Sequence, residues 1–163
     1  MDITRKGEKF CTITNYPKVG QKMADFTVIN DQNQEVELAK LLDRPLLISV
    51  VPDINTSVCS LQTQHFNKEM DNYNGINFVT ISTNSVAQQQ NWCAAEGVQK
   101  MRLLSDEKLD FGKQTNLLMA DSGLLARSVW ILDPSGTIIY SEIMSEMTDE
   151  PNYSKALDQL NQN

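Results

Sequence analysis

The sequence predicts an α/β fold in which a central mixed sheet is flanked by helices. Three observations support this prediction. The apolar run 46–51 is of the kind seen in a buried central strand, and the segment 76–82 is predicted to be a second buried strand. Each run is followed by a polar residue suited to start a helix and then by a stretch with helical spacing of apolar residues. Near the end of the chain, 124–132 and 137–143 are predicted to be two strands joined by a tight turn.

The N-terminal part of the chain alternates short extended segments with turns. Residues 10–14 and 26–29 are predicted strands, and the polar run 30–33 is the turn after the second of them. We expect the segment 1–16 to form an N-terminal β-hairpin, which adds an early strand pair to the fold.

Two helices follow the two buried strands. Pro52 ends the first strand, and Thr56 or Ser57 can cap a helix that an Asn-Gly pair at 74–75 closes. The second helix is predicted over 85–95, where a serine can cap its start and a glycine beyond its end stops it.

The C-terminal half begins with a polar stretch that contains a short predicted helix near 106–112. A third strong strand follows over 124–132, and the turn 133–136 leads to its hairpin partner at 137–143. A last helix is predicted over 153–160. This order of elements is typical of a thioredoxin-like fold, although periodicity alone leaves a flavodoxin-like sheet as an alternative.

Length, composition and charge narrow the class of protein. A chain of 163 residues, 40% of them hydrophobic, can form one domain with its own core, and no repeat or linker divides it, so we expect 1–163 to be a single domain. Its net charge of -7 and scattered basic residues argue against nucleic acid or an anionic membrane surface as a partner. No apolar run approaches the roughly eighteen residues that cross a membrane, and the first ten residues do not resemble a signal peptide. We therefore expect a cytoplasmic protein.

Three cysteines, Cys11, Cys59 and Cys93, and one histidine, His65, limit the chemistry further. This set does not form a disulfide scaffold, and without a C-x-x-C pair a structural zinc site is not expected. Cys11 is interpreted as structural. His65 is six positions after Cys59, about 240° around a helix, so we expect it to face away from that thiol and to be solvated.

Cys59 lies at the start of the first predicted helix, where free backbone N–H groups and the helix dipole favour a thiolate. A free cysteine, with a pKa of about 8.5, is only about 3% thiolate at pH 7, and a pKa of about 6 would raise that to about 90%. Nucleophilicity falls with pKa, however, and a Brønsted slope of about 0.45 makes the same shift cost roughly tenfold in reactivity. Fast chemistry at this position therefore also requires hydrogen-bond donors aimed at the substrate.

The residues around Cys59 resemble a known family. Pro52, Thr56 and Cys59 have the Pro-x-x-x-Thr-x-x-Cys spacing of the peroxiredoxin active site. The Trp-Cys pair at 92–93 and the Leu-Ala-Arg run at 125–127 are similar to the atypical two-cysteine, thiol-peroxidase branch of that family. The resemblance extends over nearly the whole chain and implies the thioredoxin-like fold that the order of elements also predicts.

The resemblance implies a role for each of five residues. Cys59 would be the peroxidatic cysteine, which attacks the terminal peroxide oxygen and becomes a sulfenic acid. Thr56 would hydrogen-bond the thiolate and the incoming peroxide, and Pro52 would shield the pocket. Arg127 would hold the thiolate and polarise the O–O bond. Cys93 would resolve the sulfenic acid by forming an intramolecular Cys59–Cys93 disulfide.

The implied activity is the reduction of hydrogen peroxide and alkyl hydroperoxides, with thioredoxin as the reductant and a homodimer as the assembly. No metal, haem, flavin or nicotinamide cofactor is implied. The alternative is a thioredoxin-fold redox sensor or binding module in which the Cys59–Cys93 disulfide forms slowly. An inert interaction protein of the same fold is a third possibility.

The predicted elements add one inference about the two cysteines. A helix end, a buried strand and a helix start separate Cys59 from Cys93, so the two thiols lie on different helices. A disulfide requires Cα atoms about 4.4–6.8 Å apart. We therefore predict that both helical segments, 57–62 and 88–96, unwind locally when the protein is oxidised.

Overall fold

The strands and helices that the sequence predicts assemble around one mixed sheet in the computed structural model, which describes residues 1–98 and 101–161. The strands are β1 Asp2–Arg5, β2 Glu8–Thr12, β3 Thr27–Ile29, β4 Glu35–Glu37, β5 Leu46–Val50, β6 Asn77–Ser82, β7 Arg102–Ser105, β8 Leu118–Met119, β9 Leu124–Leu125, β10 Ser128–Leu132 and β11 Ile138–Ile143. The helices are α1 Ser57–Glu69, α2 Val86–Glu96, α3 Asp110–Thr115 and α4 Tyr153–Asn161. Short 3-10 turns cover Leu38–Leu41 and Met70–Asn72.

Seven strands form the central sheet in the order β11-β10-β5-β6-β7-β3-β4. The three central strands β5, β6 and β7 are parallel, and β10 pairs with β5 in the antiparallel direction. The sheet is therefore mixed, as a thioredoxin-like fold requires, and the flavodoxin-like alternative, whose core sheet is parallel, is wrong. The predicted N-terminal hairpin is confirmed as the antiparallel pair β1–β2.

The central strand β5 is buried along its whole length because both faces of the sheet are covered. Its residues alternate between two apolar clusters: Leu46 and Ile48 face the cluster that contains Phe111 of α3, whereas Leu47 faces the cluster that contains Phe66 of α1. The second cluster also contains side chains of α2 and α4. The helices α1, α2 and α4 therefore pack on one face of the sheet.

The two helix starts that the sequence predicts are confirmed, with one difference in how they are capped. Ser85 is the N-cap of α2, and Ser85 and Gln88 form a reciprocal capping box. Gly97 ends α2 in the left-handed conformation, with φ of 70°. Thr56 is the N-cap of α1, but its side chain makes no capping hydrogen bond to that helix.

Three local predictions differ from the structure. The sequence analysis has no strand over 102–105. In the structure these four residues form β7, which lies between β6 and β3 in the sheet and pairs in parallel with β6. The short helix begins at Asp110 in place of 106, since the carboxylate of Asp106 accepts hydrogen bonds from the first turn of α3.

The predicted strand 124–132 is interrupted: β9 pairs with β8 in a small separate sheet, and β10 then enters the central sheet. Arg127 lies in that interruption.

Candidate active site

Cys59 lies in the first turn of α1, the helix that follows β5, and its side chain is fully buried. Its sulfur receives two hydrogen bonds. The backbone N–H of Asp53 donates at 3.5 Å, and Nη2 of Arg127 donates at 3.3 Å. A backbone dipole and a full positive charge thus both face the sulfur, an arrangement that stabilises negative charge there.

Arg127 is 97% buried and is held on three sides. Its Nε donates to the carbonyl oxygen of Met147 at 2.9 Å, its Nη1 donates to Oε1 of Gln62 at 3.0 Å, and its Nη2 reaches the sulfur of Cys59. None of these three partners is a carboxylate. Because a buried guanidinium is costly without a negative partner, the charge of Arg127 favours an anion at Cys59.

A buried polar chain behind Arg127 was not predicted from the sequence. Gln62 uses its Nε2 to donate to Oγ of Ser49 at 2.8 Å and to the carbonyl oxygen of Val50 at 3.4 Å. Its Oε1 remains to accept from Arg127, so the amide orientation fixes the guanidinium. Two signals in the sequence could have indicated this chain: Gln62 lies one helical turn after Cys59, and Ser49 interrupts the apolar run of β5.

Thr56 has a different partner from the one implied by the family resemblance. Its hydroxyl donates to the carbonyl oxygen of Asp53 at 2.9 Å, and its backbone N–H donates to the same oxygen at 3.1 Å. The hydroxyl proton is therefore directed at the backbone and not at the sulfur of Cys59. The lone pairs of the hydroxyl oxygen stay available as an acceptor.

Pro52, Thr56 and Arg127 line one pocket of about 240 Å³. Its apolar lining includes Val58, Leu124 and Met147. Arg127 connects this pocket to Cys59, because it both lines the pocket and contacts the sulfur. The structure thus brings together four of the five residues named from the sequence, and Cys93 is the exception.

The N-terminal hairpin contributes Arg5 and Lys6 to the same pocket, which the sequence did not indicate. The carboxylate of Glu146 holds the hairpin turn, because it accepts from the backbone N–H of Lys6 at 3.2 Å and that of Gly7 at 2.8 Å. Hydrogen bonds from Thr148, Gly7 and Thr4 hold the pKa of Glu146 well below its usual range. The hairpin is therefore tied to the rim of the pocket.

Cys93 lies on α2 and lines a different pocket, of about 290 Å³, between that helix, β7 and the turn after β3. All three cysteines are free thiols in the structure. Burial raises the pKa of Cys93, and the carboxylate of Asp31 raises it further. The expectation that Cys59 and Cys93 lie on different helices agrees with these positions.

The remaining cysteine and the histidine lie away from these contacts. Cys11 is half-buried on β2 opposite Ile3, and burial raises its pKa. His65 is not fully solvated as expected: its ring is half-buried and stacks on Tyr153 with the ring centres 3.8 Å apart. This stacking fixes the imidazole between α1 and α4.

Within residues 1–98 and 101–161, no group of three or more His, Cys, Asp and Glu side chains is placed to hold a metal ion. Across the same described part of the chain, no helix is long and apolar enough to cross a membrane.

Comparison with known proteins gives consistent matches over most of the chain. Residues 19–141 match the AhpC/TSA family. A thiol peroxidase of Bacillus subtilis (strain 168) is 38% identical over 158 residues, which cover 96% of this chain and 95% of that protein. A thiol peroxidase of Listeria monocytogenes serotype 4b (strain F2365) is 41% identical over 157 residues, with the same shares of 96% and 95%.

Solved structures agree with the fold. A crystal structure of a peroxiredoxin-like protein from Aquifex aeolicus superposes with a TM-score of 0.91 at 26% sequence identity, covering 99% of this chain and 96% of that chain. A thiol peroxidase from Chromobacterium violaceum superposes with a TM-score of 0.89 over the same shares of the two chains, and at 18% identity this match supports the fold alone.

Proposed function

Since this chain belongs to the AhpC/TSA family and is a peroxiredoxin-type thiol peroxidase, we propose that Cys59 is the peroxidatic cysteine and that Arg127 activates it. The observation that supports this assignment is the 3.3 Å contact between Nη2 of Arg127 and the sulfur of Cys59. A thiol at a helix start is not enough for fast thiolate chemistry, which also requires a fixed hydrogen-bond donor, and this contact supplies one.

In the proposed reaction the thiolate of Cys59 attacks the terminal oxygen of a hydroperoxide. An S–O bond forms and the O–O bond breaks, so that the sulfur loses two electrons and becomes a sulfenic acid. The departing oxygen takes up a proton and leaves as water or an alcohol. Arg127 stabilises the charge that moves from sulfur to oxygen, and Thr56, whose hydroxyl oxygen is a free acceptor, orients the O–H of the peroxide.

Cys93 then attacks the sulfenic sulfur, a Cys59–Cys93 disulfide forms, and one water molecule is released. The different helix positions of the two thiols support local unwinding of 57–62 and 88–96 in this step. Unwinding would also remove the burial that raises the pKa of Cys93, and would therefore make its thiolate more available. A dithiol reductant, which we propose to be thioredoxin, returns both cysteines to thiols with two electrons and two protons.

Hydrogen peroxide and alkyl hydroperoxides are the proposed substrates. The pocket in front of Arg127 has a volume of about 240 Å³ and an apolar lining, which supports an alkyl group as part of the substrate. We propose that the enzyme acts in the cytoplasm as a homodimer and needs no cofactor of its own.

The test compares wild type with Cys59→Ser and Cys93→Ser during peroxide titration, followed by intact mass and non-reducing electrophoresis. We expect wild type to lose the mass of two hydrogen atoms as a monomer, Cys93→Ser to accumulate a sulfenic acid at Cys59, and Cys59→Ser to remain unchanged. A wild-type rate constant with peroxide no higher than that of a free thiol would instead support a slow redox sensor. A disulfide-linked dimer would show that resolution is intermolecular.

Hydrogen exchange followed by mass spectrometry tests the conformational step. Amide exchange in 57–62 and 88–96 is expected to accelerate on oxidation, because those helical hydrogen bonds would open. Equal protection of both segments in the reduced and oxidised protein would contradict the proposed unwinding.

A further inference from the structure

Asn84, in the loop between β6 and α2, contacts the loop that precedes Cys59. Its Oδ1 accepts a hydrogen bond from the backbone N–H of Ile54 at 2.9 Å. Its Nδ2 donates to Oδ1 of Asp53 at 3.0 Å. We call the segment 51–56, between β5 and α1, the peroxidatic loop. One side-chain amide therefore holds two consecutive residues of this loop, one by its acceptor and the other by its donor.

Asp53 is the residue through which these contacts reach the reacting sulfur. Its backbone N–H is one of the two donors to Cys59, at 3.5 Å. Its carbonyl oxygen takes the hydroxyl proton of Thr56 at 2.9 Å. A shift of Asp53 would consequently move a thiolate donor and the peroxide acceptor at the same time.

Asn84 is itself held by the elements that surround Cys93. The hydroxyl of Ser105, at the end of β7, donates to the carbonyl oxygen of Asn84 at 2.6 Å. The next residue, Ser85, is the N-cap of α2, and Nδ2 of Asn84 also approaches Oε1 of Gln88 in the first turn of that helix at 3.4 Å. Asn84 thus joins the peroxidatic loop to the start of the helix that carries the resolving cysteine.

We propose that Asn84 is a positioning residue that holds the peroxidatic loop in its reactive, folded geometry and thereby sets the balance between peroxide attack and disulfide formation. The proposal rests on the roles of Cys59 and Cys93 proposed above. While the loop is held, Cys59 meets its donors and Thr56 is aligned. Release of the same contacts allows the start of α1 to unwind toward Cys93.

The balance has a second chemical consequence. A sulfenic acid that stays in the folded pocket can meet a second hydroperoxide, which transfers one oxygen to the sulfur and leaves as water or an alcohol, so that a sulfinic acid forms. Disulfide formation competes with this step. Asn84 therefore slows resolution and prolongs exposure of the sulfenic acid to peroxide.

The test measures the two steps separately in Asn84→Ala. Oxidation of Cys59 is followed by stopped flow in the Cys93→Ser background, and disulfide formation is followed after a single-turnover pulse of hydrogen peroxide in the otherwise unaltered chain. We expect oxidation to slow about tenfold, since the two hydrogen bonds that hold Ile54 and Asp53 are lost and part of that loss reaches the transition state. Disulfide formation is expected to accelerate about threefold or more, and sulfinic acid to accumulate at higher peroxide concentrations than in wild type.

Exchange of donor and acceptor provides a rescue that a merely structural role would not show. Asn84→Asp alone places a second carboxylate beside Asp53 and should slow oxidation at least as much as Asn84→Ala. Combined with Asp53→Asn, it restores one amide–carboxylate hydrogen bond with its direction reversed, and the carboxylate at position 84 can still accept from Ile54. We expect the double variant to recover most of the wild-type rate of oxidation.

Asn77, at the opposite end of β6, offers a matched control. Its Nδ2 donates to Oδ1 of Asp43 at 2.7 Å and to the carbonyl oxygen of Leu41 at 2.9 Å, so Asn77→Ala removes the same kind of contact far from Cys59. Both rate constants are expected to stay within about twofold of wild type.

Three outcomes would overturn the proposal: both rate constants of Asn84→Ala within about twofold of wild type, both steps slowed in parallel, or no recovery in the double variant. If Asn84→Ala does not fold, the comparison of Asn84→Asp with the double variant decides alone. A failure of the proposed function is distinct, because wild type itself would then show no fast oxidation of Cys59.

Discussion

Cys59 and Cys93 pack into the same apolar cluster, one from α1 and the other from α2. The sulfur of Cys59 is fully buried and faces a guanidinium and a backbone N–H. Cys93 is half-buried, and among the described residues the carboxylate of Asp31 is a charge that acts on it. The same side chain is thus placed beside positive charge at one site and beside negative charge at the other.

The difference suggests how two thiols can divide one reaction. In the proposed reaction, positive charge beside Cys59 would favour the anion that attacks a peroxide, whereas the raised pKa of Cys93 would keep its thiol protonated in the folded protein. Cys93 would then react only after its surroundings change.

The largest effect is expected from Arg127→Ala. This change removes the full positive charge beside Cys59, and loss of one such fixed donor costs about a hundred- to a thousandfold in rate. The second-order rate constant for oxidation of Cys59 by hydrogen peroxide, measured by stopped flow in the Cys93→Ser background, should fall by that factor. Arg127→Lys keeps the charge but cannot reach both Gln62 and the sulfur, so an intermediate rate is expected.

Arg44→Ala, at an exposed arginine before β5, is the control for the loss of a positive charge and should leave the rate unchanged. Thermal unfolding of each variant separates a lost donor from a lost fold. An Arg127→Ala protein that folds and reacts within about tenfold of wild type would show that the charge is not the main source of reactivity.

A smaller loss, of about tenfold, is expected from Gln62→Leu. The Nη1 of Arg127 and the Oγ of Ser49 lose their buried partner, so the guanidinium is no longer held in one orientation. The free energy of unfolding should also fall by about 1–3 kcal/mol. Stopped-flow oxidation and chemical denaturation of the same preparation measure the two effects.

The helix that carries Cys93 contains the matched control. Gln89 donates from Nε2 to Oγ of Ser82 at 3.0 Å and to the carbonyl oxygen of Leu104 at 3.0 Å, a pattern that repeats the helix-to-strand contacts of Gln62 on α1. Gln89→Leu should lower stability by a similar amount and leave the oxidation of Cys59 unchanged. Equal losses of rate in the two variants would mean that Gln62 acts through stability alone.

A still smaller effect, of about two- to threefold in rate, is expected at Cys93 from Asp31→Asn. Burial is the first cause of the raised pKa of Cys93 and Asp31 is the second, so removing the carboxylate lowers that pKa but leaves it above the usual value. At a pH below the pKa, a lower pKa means more thiolate and faster alkylation. The pH profile of iodoacetamide labelling, taken in the Cys11→Ser, Cys59→Ser background, should therefore move to lower pH.

Asp158→Asn, on the exposed side of α4, is the control and should leave the profile in place. A profile that Asp31→Asn does not move would show that burial alone sets the protonation of Cys93.

The smallest effect is expected from Cys11→Ser. Cys11 is half-buried on the hairpin, where it pairs with Ile3, and no role is proposed for it beside Cys59 and Cys93. The rate of oxidation and the yield of the Cys59–Cys93 disulfide should stay within about twofold of wild type in the stopped-flow and electrophoresis assays. A lower disulfide yield would give the third cysteine a part in resolution.

Much of the site could be predicted from sequence because its parts carry local signals. The apolar run of β5, the proline that ends it and the helix start after it place Cys59 correctly. The predicted grouping of Pro52 and Thr56 with Arg127 relied on the family resemblance, since nothing local connects a residue in the interruption before β10 with a loop after β5. In the structure Arg127 reaches the loop after β5 because β10, the strand that follows Arg127, pairs with β5.

Other parts carried no local signal. β7 has only four residues and follows a polar stretch, so periodicity did not detect it, although it is a central strand of the sheet. The contact of Asn84 with Asp53 depends on β5 and β6 ending at the same edge of the sheet. The basic residues of the hairpin reach the pocket because Glu146 holds the hairpin turn from a loop far along the chain.

The sequence by itself determined the two buried strands β5 and β6, the starts of the helices α1 and α2 that follow them, and which cysteine stands at a helix start, because these features depend on neighbours within a few turns or pleats. Only the tertiary structure decided which charge faces each thiol. A guanidinium acts on Cys59 from 68 positions away, and the carboxylate of Asp31 acts on Cys93 from an early turn. Electrostatic interactions depend on distance in space and on burial, and both are set by the order of the strands and the packing of the helices.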